Sequence, residues 1–306
     1  MWSRQRVLRP TVKSWWMASH AGSAFCTWQG SEATILVSGR GADNRSRIGV
    51  ARGKIDSGNF SIGQIDANPI LDVGTHESFY RDGVSYPWLF EIDGRQALLF
   101  TGWIRRGDSF LNQLGIAYRS DDEEPWTVSP RPLFPDHGQG TGSACYWASP
   151  DGPLLAVTSF TGWRRHRAKQ IPTYEIRWAH LRRQGVWELG ERVSGLGQAS
   201  DNAVARPAIT QVDGHVIGMC SVRKGNTYSI EGGLWNGASF TDHRVLHFEP
   251  AGDGWESGSV EYAHLSQADD SVVVMYNGNG FGQTGLGAAV CAKRNFLEAV
   301  GVDGPH

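Results

Sequence analysis

The sequence predicts an all-β chain: a five-bladed β-propeller, four antiparallel strands per blade, around a central channel. Three observations lead there. Five matched strand-like triplets recur along the 306 residues. Equivalent positions in them, Ile48, Leu114, Ile176, Ile230 and Leu286, follow one another at steps of 66, 62, 54 and 56 residues. The composition suits many short strands joined by tight turns, with 39 glycines, 13 tryptophans, 11% aromatics and only 20% charged residues. A long-helix protein would run on Ala, Leu, Glu and Lys instead. Disorder is excluded, because 40% hydrophobic residues can bury a large core.

Each triplet is built in the same order. The middle runs are β-branched or aromatic and end in small or polar residues: 34–39 (TILVSG), 97–103 (ALLFTGW), 154–161 (LLAVTSFT), 215–223 (HVIGMCSVR) and 271–278 (SVVVMYNG). A polar loop leads each into a third run, such as 47–51 (RIGVA) or 113–117 (QLGIA). A first run precedes each middle one across a tight turn, with Asp-Gly at 93–94, 151–152 and 213–214, a strong hairpin signal. Fourth runs follow, for example around Phe60, Trp126, Trp187 and Phe240. The blades are expected at 20–66, 82–134, 142–194, 202–248 and 256–293 of one domain spanning 1–306. The fifth has no clear outer strand after Lys293, so 5–12 is expected to close the ring there, with 295–300 as the alternative. The repeat is longer than the ~40–45 residues of WD repeats, and a β-sandwich fits five matched triplets poorly.

The net charge of −2 gives no global field toward nucleic acid or a membrane, and neither is expected as a partner. No apolar run reaches signal-peptide or membrane-span length, so a cytoplasmic location is expected. The four cysteines, Cys26, Cys145, Cys220 and Cys291, sit singly in apolar runs and read as buried thiols of a reducing compartment. Cations are lopsided, with 24 arginines to 5 lysines, and arginine binds carboxylate and phosphate bidentately.

A propeller binds ligands at one mouth of its channel. The segments leading into the innermost strands and the second-to-third connections should line that mouth. They carry the acids Asp82, Glu256 and Glu261, the amides Asn202 and Asn277, and His20. They also carry Arg40, Arg206 and Arg223, with the aromatics Tyr86, Trp103, Tyr228 and Tyr276. Aromatic faces stack on sugar rings, amides and carboxylates pair with hydroxyls, and the arginines suit an anionic ligand such as a phosphate, nucleotide or uronate. Arg206, before Pro207 on an innermost strand, needs a carboxylate or a ligand if buried. No phosphate-binding GxxxxGK[ST] and no GxSxG elbow occurs.

Several motifs together resemble the five-bladed β-propeller glycosidase superfamily of arabinanases, xylosidases, invertases and levansucrases, and in particular divergent members found in bacterial biosynthetic gene clusters. They are Asp82-Gly83-Val84 with Tyr86-Pro87, Phe100-Thr101-Gly102-Trp103 with 112–117 (NQLGIA), Arg206-Pro207 with Ser221-Val222-Arg223, Trp255-Glu256-Ser257, and 275–282 (MYNGNGFG). The match covers roughly 20–292. The resemblance implies three central acids: a first-blade base or nucleophile, a pKa-modulating aspartate and a general-acid glutamate, acting as flanking carboxylates. Here 21–28 has no aspartate, leaving His20 as the nearest ionisable group, and Arg206-Pro207 stands where the glutamate is expected. Asp82 and Glu256 are the remaining axial acids. A central calcium, implied by some relatives, would need six to eight oxygens; too few axial carboxylates are visible, and no cofactor is expected. Three functions stay open: a carbohydrate-active enzyme using Asp82, Glu256 and His20; a non-hydrolytic tailoring enzyme (dehydration, transfer or cyclisation) on an anionic metabolite such as a nucleotide; and a catalytically inactive glycan-binding propeller.

Overall fold

The computed structural model describes residues 1–107, 109–135, 140–166, 169–183, 185–197, 203–252 and 254–301. Five four-stranded antiparallel sheets form the blades. The first contains β2 (His20–Gln29), β3 (Glu32–Arg40), β4 (Ser46–Asp56) and β5 (Asn59–Ile65). The second contains β6 (Val84–Ile92), β7 (Arg95–Arg106), β8 (Ser109–Arg119) and β9 (Thr127–Val128). The third contains β10 (Thr141–Ser149), β11 (Gly152–His166), β12 (Lys169–Leu181) and β13 (Trp187–Arg192). The fourth contains β14 (Ala203–Val212), β15 (His215–Lys224), β16 (Thr227–Trp235) and β17 (Phe240–Asp242). The fifth contains β18 (Glu261–Ala268), β19 (Ser271–Asn277), β20 (Leu286–Ala292) and, on its outer edge, β1 (Ser3–Leu8) from the other end of the chain. The innermost strands β2, β6, β10, β14 and β18 touch in ring order.

Local sequence dictates the hairpins. Asp93-Gly94 and Asp213-Gly214 both have positive φ at the two turn positions, the mirror-image turn that matches strand twist. Between sheets, aromatic side chains meet backbone that has no side chain of its own. Trp16 is fully buried, and a Cβ on Gly39 or Gly49 would stand 2.6 or 2.4 Å from its ring. The ring closes where Ser3 pairs with Val290 and Arg6 with Gly287. Residues 295–300 lie mostly in the helix Lys293–Ala299 instead, where Phe296 packs against Trp2 with ring centroids 5.7 Å apart. Among the described residues no helix is long and apolar enough to cross a membrane. All four cysteines are buried, and none forms a disulfide.

One repeated device shapes the channel. Every innermost strand slips register near its start, after Gly22, Ser85, Thr141, Ala205 and Glu261. The next residue in four of them, Ser23, Tyr86, Arg206 and Tyr262, takes a positive φ of 50 to 60°. Its N–H, turned out of the ladder, is caught by the preceding blade: Ser38 Oγ accepts from Tyr86, Thr158 Oγ1 from Arg206, Ser221 Oγ from Tyr262 and Asn277 Oδ1 from Ser23. The bulges re-aim these side chains toward the axis. In the third blade the corresponding residue is Gly142, which is outside the left-handed region, and the buried Thr101 Oγ1 has no partner. There the channel wall lacks a side chain.

Candidate functional site

The bulges floor an open funnel of about 1090 Å3 at one mouth of the channel. Its aromatic wall comes from four blades: Tyr86 and Trp103, Phe160 and Tyr174, Tyr228, and Tyr262 with Phe281. Tyr86, Tyr228 and Tyr262 form one cluster, with Tyr262 5.1 Å from Tyr86 and 5.9 Å from Tyr228 between ring centroids. Burial holds all three phenols above their usual range, so they remain neutral hydrogen-bonding groups. Phe281 lies half exposed over the cluster, stacked on Tyr262 at 6.2 Å. It is the middle one of three consecutive residues at positive φ, Gly280 to Gly282. An exposed phenylalanine held at positive φ costs backbone strain, and here that strain presents an aromatic face to the funnel.

The charges of the funnel are mostly guanidinium. Arg40, at the end of β3, lines it beside His20 and Tyr86, and burial lowers its pKa. Among the described residues no hydrogen-bonding or ion-pairing carboxylate meets its guanidinium. Arg223, buried at the end of β15, donates to the Pro172 carbonyl and to Tyr228 Oη (3.3 Å), lies 5.6 Å over the Tyr228 ring, and has an unpartnered Nε. Beneath the floor, Arg206 is fully buried. Its Nη2 donates to the carbonyls of Ala24 (3.3 Å) and Pro87 (3.0 Å), while Nε and Nη1 have no partner. Desolvation pulls its pKa down to about 10, so it stays charged at neutral pH. Arg206 helps to hold the buried His264 imidazole neutral: desolvation, then this cation, lower its pKa to about 3. His20, desolvated and next to Arg40, falls to about 4 and is also neutral at pH 7.

Acids are scarce. Among the described residues Asp82 is the one carboxylate lining the funnel; its Oδ2 accepts the Arg105 backbone N–H at 2.8 Å and lies 3.6 Å from Arg81 Nε. Glu261, first residue of β18, is buried beside the phenol cluster. Desolvation raises its pKa to about 8 against weaker hydrogen bonds from Ser259 and the Phe281 backbone, and Oε2 is unpartnered. At neutral pH it is therefore mainly a carboxylic acid carrying a proton.

Several expectations of the sequence need relocating. Glu256 is not in the funnel: its Oε2 accepts from Arg4 Nη2 and from Tyr276 Oη, both at 2.7 Å, so it fastens the ring-closing strand β1 to blade five. Tyr276 belongs to that fastening, with Arg4 Nε donating to its oxygen at 3.0 Å. Asn277 is fully buried as the catch of the Ser23 bulge. Arg206 lies under the floor. Asn202 lies outside the described residues. His20, Arg40, Asp82, Tyr86, Trp103, Arg223 and Tyr228 do come together in the funnel. The reading from sequence missed Tyr262, Phe281 and Tyr174; the signal for Tyr262 was its place after Glu261, matching Tyr86 and Arg206 in their strands.

The carbonyls of Ala24 and Pro87 that face the channel axis are taken by Arg206, itself a cation, and no three His, Cys, Asp or Glu side chains converge among the described residues.

The fold and the aromatic, guanidinium-lined funnel define a five-bladed propeller of the architecture found in glycoside hydrolases. A solved glycoside hydrolase superposes with a TM-score of 0.67 at 11% identity, covering 94% of this chain and 90% of that one. A structure from the GH130 family of mannoside phosphorylases, described as containing hydrolases of β-1,2 mannosidic linkages in Candida mannan, gives 0.60 at 13%, covering 96% and 94%. A thermostable family-43 glycoside hydrolase gives 0.58 at 12%, covering 89% of each. In sequence the chain is similar to an uncharacterized protein of Mycobacterium tuberculosis (strain CDC 1551 / Oshkosh), 29% identical over 297 residues, 93% of this chain and 97% of that protein. A second strain, ATCC 25618 / H37Rv, has an uncharacterized protein of the same identity and coverage. No protein-family model matches the chain.

Proposed function

We propose that this protein is a carbohydrate-active enzyme that takes an anionic, sugar-containing small molecule into the axial funnel and carries out proton-transfer chemistry without a facing pair of carboxylates. The observation that supports it most is the imbalance of charge. Arg40 and Arg223 are desolvated to different degrees and meet no carboxylate among the described residues, an arrangement that costs free energy until an anion arrives. Tyr86, Trp103 and Phe281 offer faces for a ring, and Ser85, Asn112 and Ser143 line the same funnel as hydroxyl partners. Glu261 lies outside the funnel lining, buried beside the phenol cluster; in this reading it is the proton source, its pKa of about 8 keeping the proton at neutral pH and the phenols of that cluster standing between it and the substrate. His20, neutral and half-buried, is a hydrogen-bond acceptor toward the substrate.

Hydrolysis by two carboxylates requires both to flank one bond. With Glu256 committed to the ring seam and Asp82 held by the Arg105 backbone, the non-hydrolytic branch (dehydration, transfer or cyclisation) is favoured over hydrolysis. The test is a turnover screen over uronates, phosphosugars and sugar nucleotides, with product identity read by mass spectrometry. Glu261→Gln should lower kcat by about 10²–10⁴-fold, the usual scale for a lost general acid. A loss under tenfold removes Glu261 from the role. Tight binding with no turnover of any of these ligands would identify a glycan-binding propeller.

A further inference from the structure

Beside the funnel lies a second concavity that the reading above does not use. It is a pocket of about 770 Å3 on the rim between blades one and two, lined by Arg45, Gly74, His76, Arg81, Asp82, Arg105 and Gly107. Three separate stretches build it. Arg45 comes from the β3–β4 connection, residues 74–82 from the long β5–β6 connection, and Arg105 with Gly107 from the β7–β8 hairpin. Blade spacing alone therefore assembles three guanidinium groups and an imidazole around one space.

Among the described residues the charges of this pocket do not cancel, and Asp82 is the one carboxylate in the lining. Its Oδ2 already accepts the backbone N–H of Arg105 and faces Arg81 Nε at 3.6 Å, and thereby pins the β7–β8 hairpin to the segment before β6. Asp43, the acid that attracts Arg45, is gripped at both oxygens by Arg47, with Nη1 to Oδ1 at 2.9 Å and Nη2 to Oδ2 at 2.7 Å. Asp72 is taken by Arg47 Nε at 2.7 Å and by the Val73 N–H. The buried Arg47 thus absorbs the neighbouring carboxylates and leaves the outer arginines to the pocket. Arg105 spends its Nε on the Gly107 carbonyl at 3.2 Å, which keeps its outer nitrogens directed away from that bond. Planar guanidinium forks converging from several sides suit a tetrahedral oxyanion better than a planar carboxylate, which one fork would satisfy.

We infer that this rim pocket is a binding site for a phosphoryl group. Asp82 lines both this pocket and the funnel, so the two spaces share a wall. A phosphate ester could therefore set its phosphoryl group on the rim while its ring lies in the funnel; only this last placement rests on the funnel reading.

The test is calorimetric titration of the full chain with inorganic phosphate, glucose 1-phosphate and chloride, in the wild type, in Arg45→Gln/Arg105→Gln, and in Arg40→Ala. Arg45 and Arg105 are exposed, so the double variant should melt like the wild type. Inorganic phosphate is expected to bind the wild type in preference to chloride. The double variant should lose at least tenfold in affinity, and Arg40→Ala should lose less than twofold. Glucose 1-phosphate binding with the same variant dependence identifies an ester site; phosphate binding with the ester excluded identifies a free-phosphate site, and both sustain the assignment. Equal binding of chloride, or unchanged phosphate affinity in the double variant, would falsify it. Phosphate affinity lost in Arg40→Ala alone would move the anion into the funnel, overturning the rim site while leaving the funnel reading intact.

Discussion

Glu256 and Glu261 lie five residues apart, yet they serve two regions with opposite electrostatic accounts. At the seam, Glu256, Arg4 and Tyr276 meet each other at 2.7 to 3.0 Å, and each charge has its counter-charge. On the axis, Glu261 keeps its proton, Arg206 and Arg223 meet carbonyls and a phenol, and Arg40 feels the Tyr86 phenol, with no carboxylate on any of the three among the described residues. Paired charges mark the place where the chain holds itself together. Unpaired ones mark the place where it is prepared to hold something else.

The sharpest way to separate the regions is pH. The Glu261 carboxyl titrates near 4.5 in the unfolded chain and about 8 in the folded one. The native state then retains a proton that the unfolded state releases, so its contribution to stability falls as pH rises from 4.5 to 8. The size is on the order of 5 kcal/mol. Urea midpoints at pH 5 and pH 8.5 should differ less in Glu261→Gln than in the wild type; an equal difference sinks the assignment. His264 acts in the other direction. Its folded pKa of about 3 lies below the usual 6.5, so the stability it contributes is present above 6.5 and is lost as pH falls toward 3.

Next in size is the seam. Glu256→Ala strands Arg4 and the Tyr276 hydroxyl in a partly buried site and should cost about 2–3 kcal/mol. Ligand affinity in the funnel should be unchanged, and a tenfold loss there would return Glu256 to the site. Arg40→Ala should give the mirror result. Affinity for a uronate, whose carboxylate is held in the funnel, should drop about tenfold, or ~1.4 kcal/mol, while the urea midpoint holds or rises because a desolvated cation has gone. Smallest is Ser38→Ala, which removes the catch of the Tyr86 bulge and should cost about 1 kcal/mol. The equivalent Thr101→Val, at an oxygen that makes no bond, should be neutral or stabilising.

The blades were legible because each strand triplet repeats its own local pattern, and Asp-Gly turns need no distant partner to declare themselves. Much of the funnel followed from them, since β3, β7 and β15 carry Arg40, Trp103 and Arg223 to the same mouth. Glu256 was misplaced for a physical reason: its partner Arg4 sits near the far end of the sequence, and nothing local to 255–261 announces that contact. Tyr262 was overlooked because its bulge breaks the two-residue alternation from which inward and outward faces are read. The protonation of Glu261 depends on its burial, a property of packing that carries no sequence signature.

The seam also has a consequence for how the molecule is made. β1 precedes the first blade in the sequence, and its pairing surface, β20, follows the innermost strands of all five. The first four blades can settle from hairpins that are close in sequence, but the ring stays an open arc until β20 has been made. During that interval β20's future partner is an unattached strand, and Trp2 has neither Phe248 nor Phe296 to rest on. Closure is thus the long-range and slow event of folding. A short peptide copying Ser3–Leu8, added during refolding, would compete for the same edge and trap the arc open.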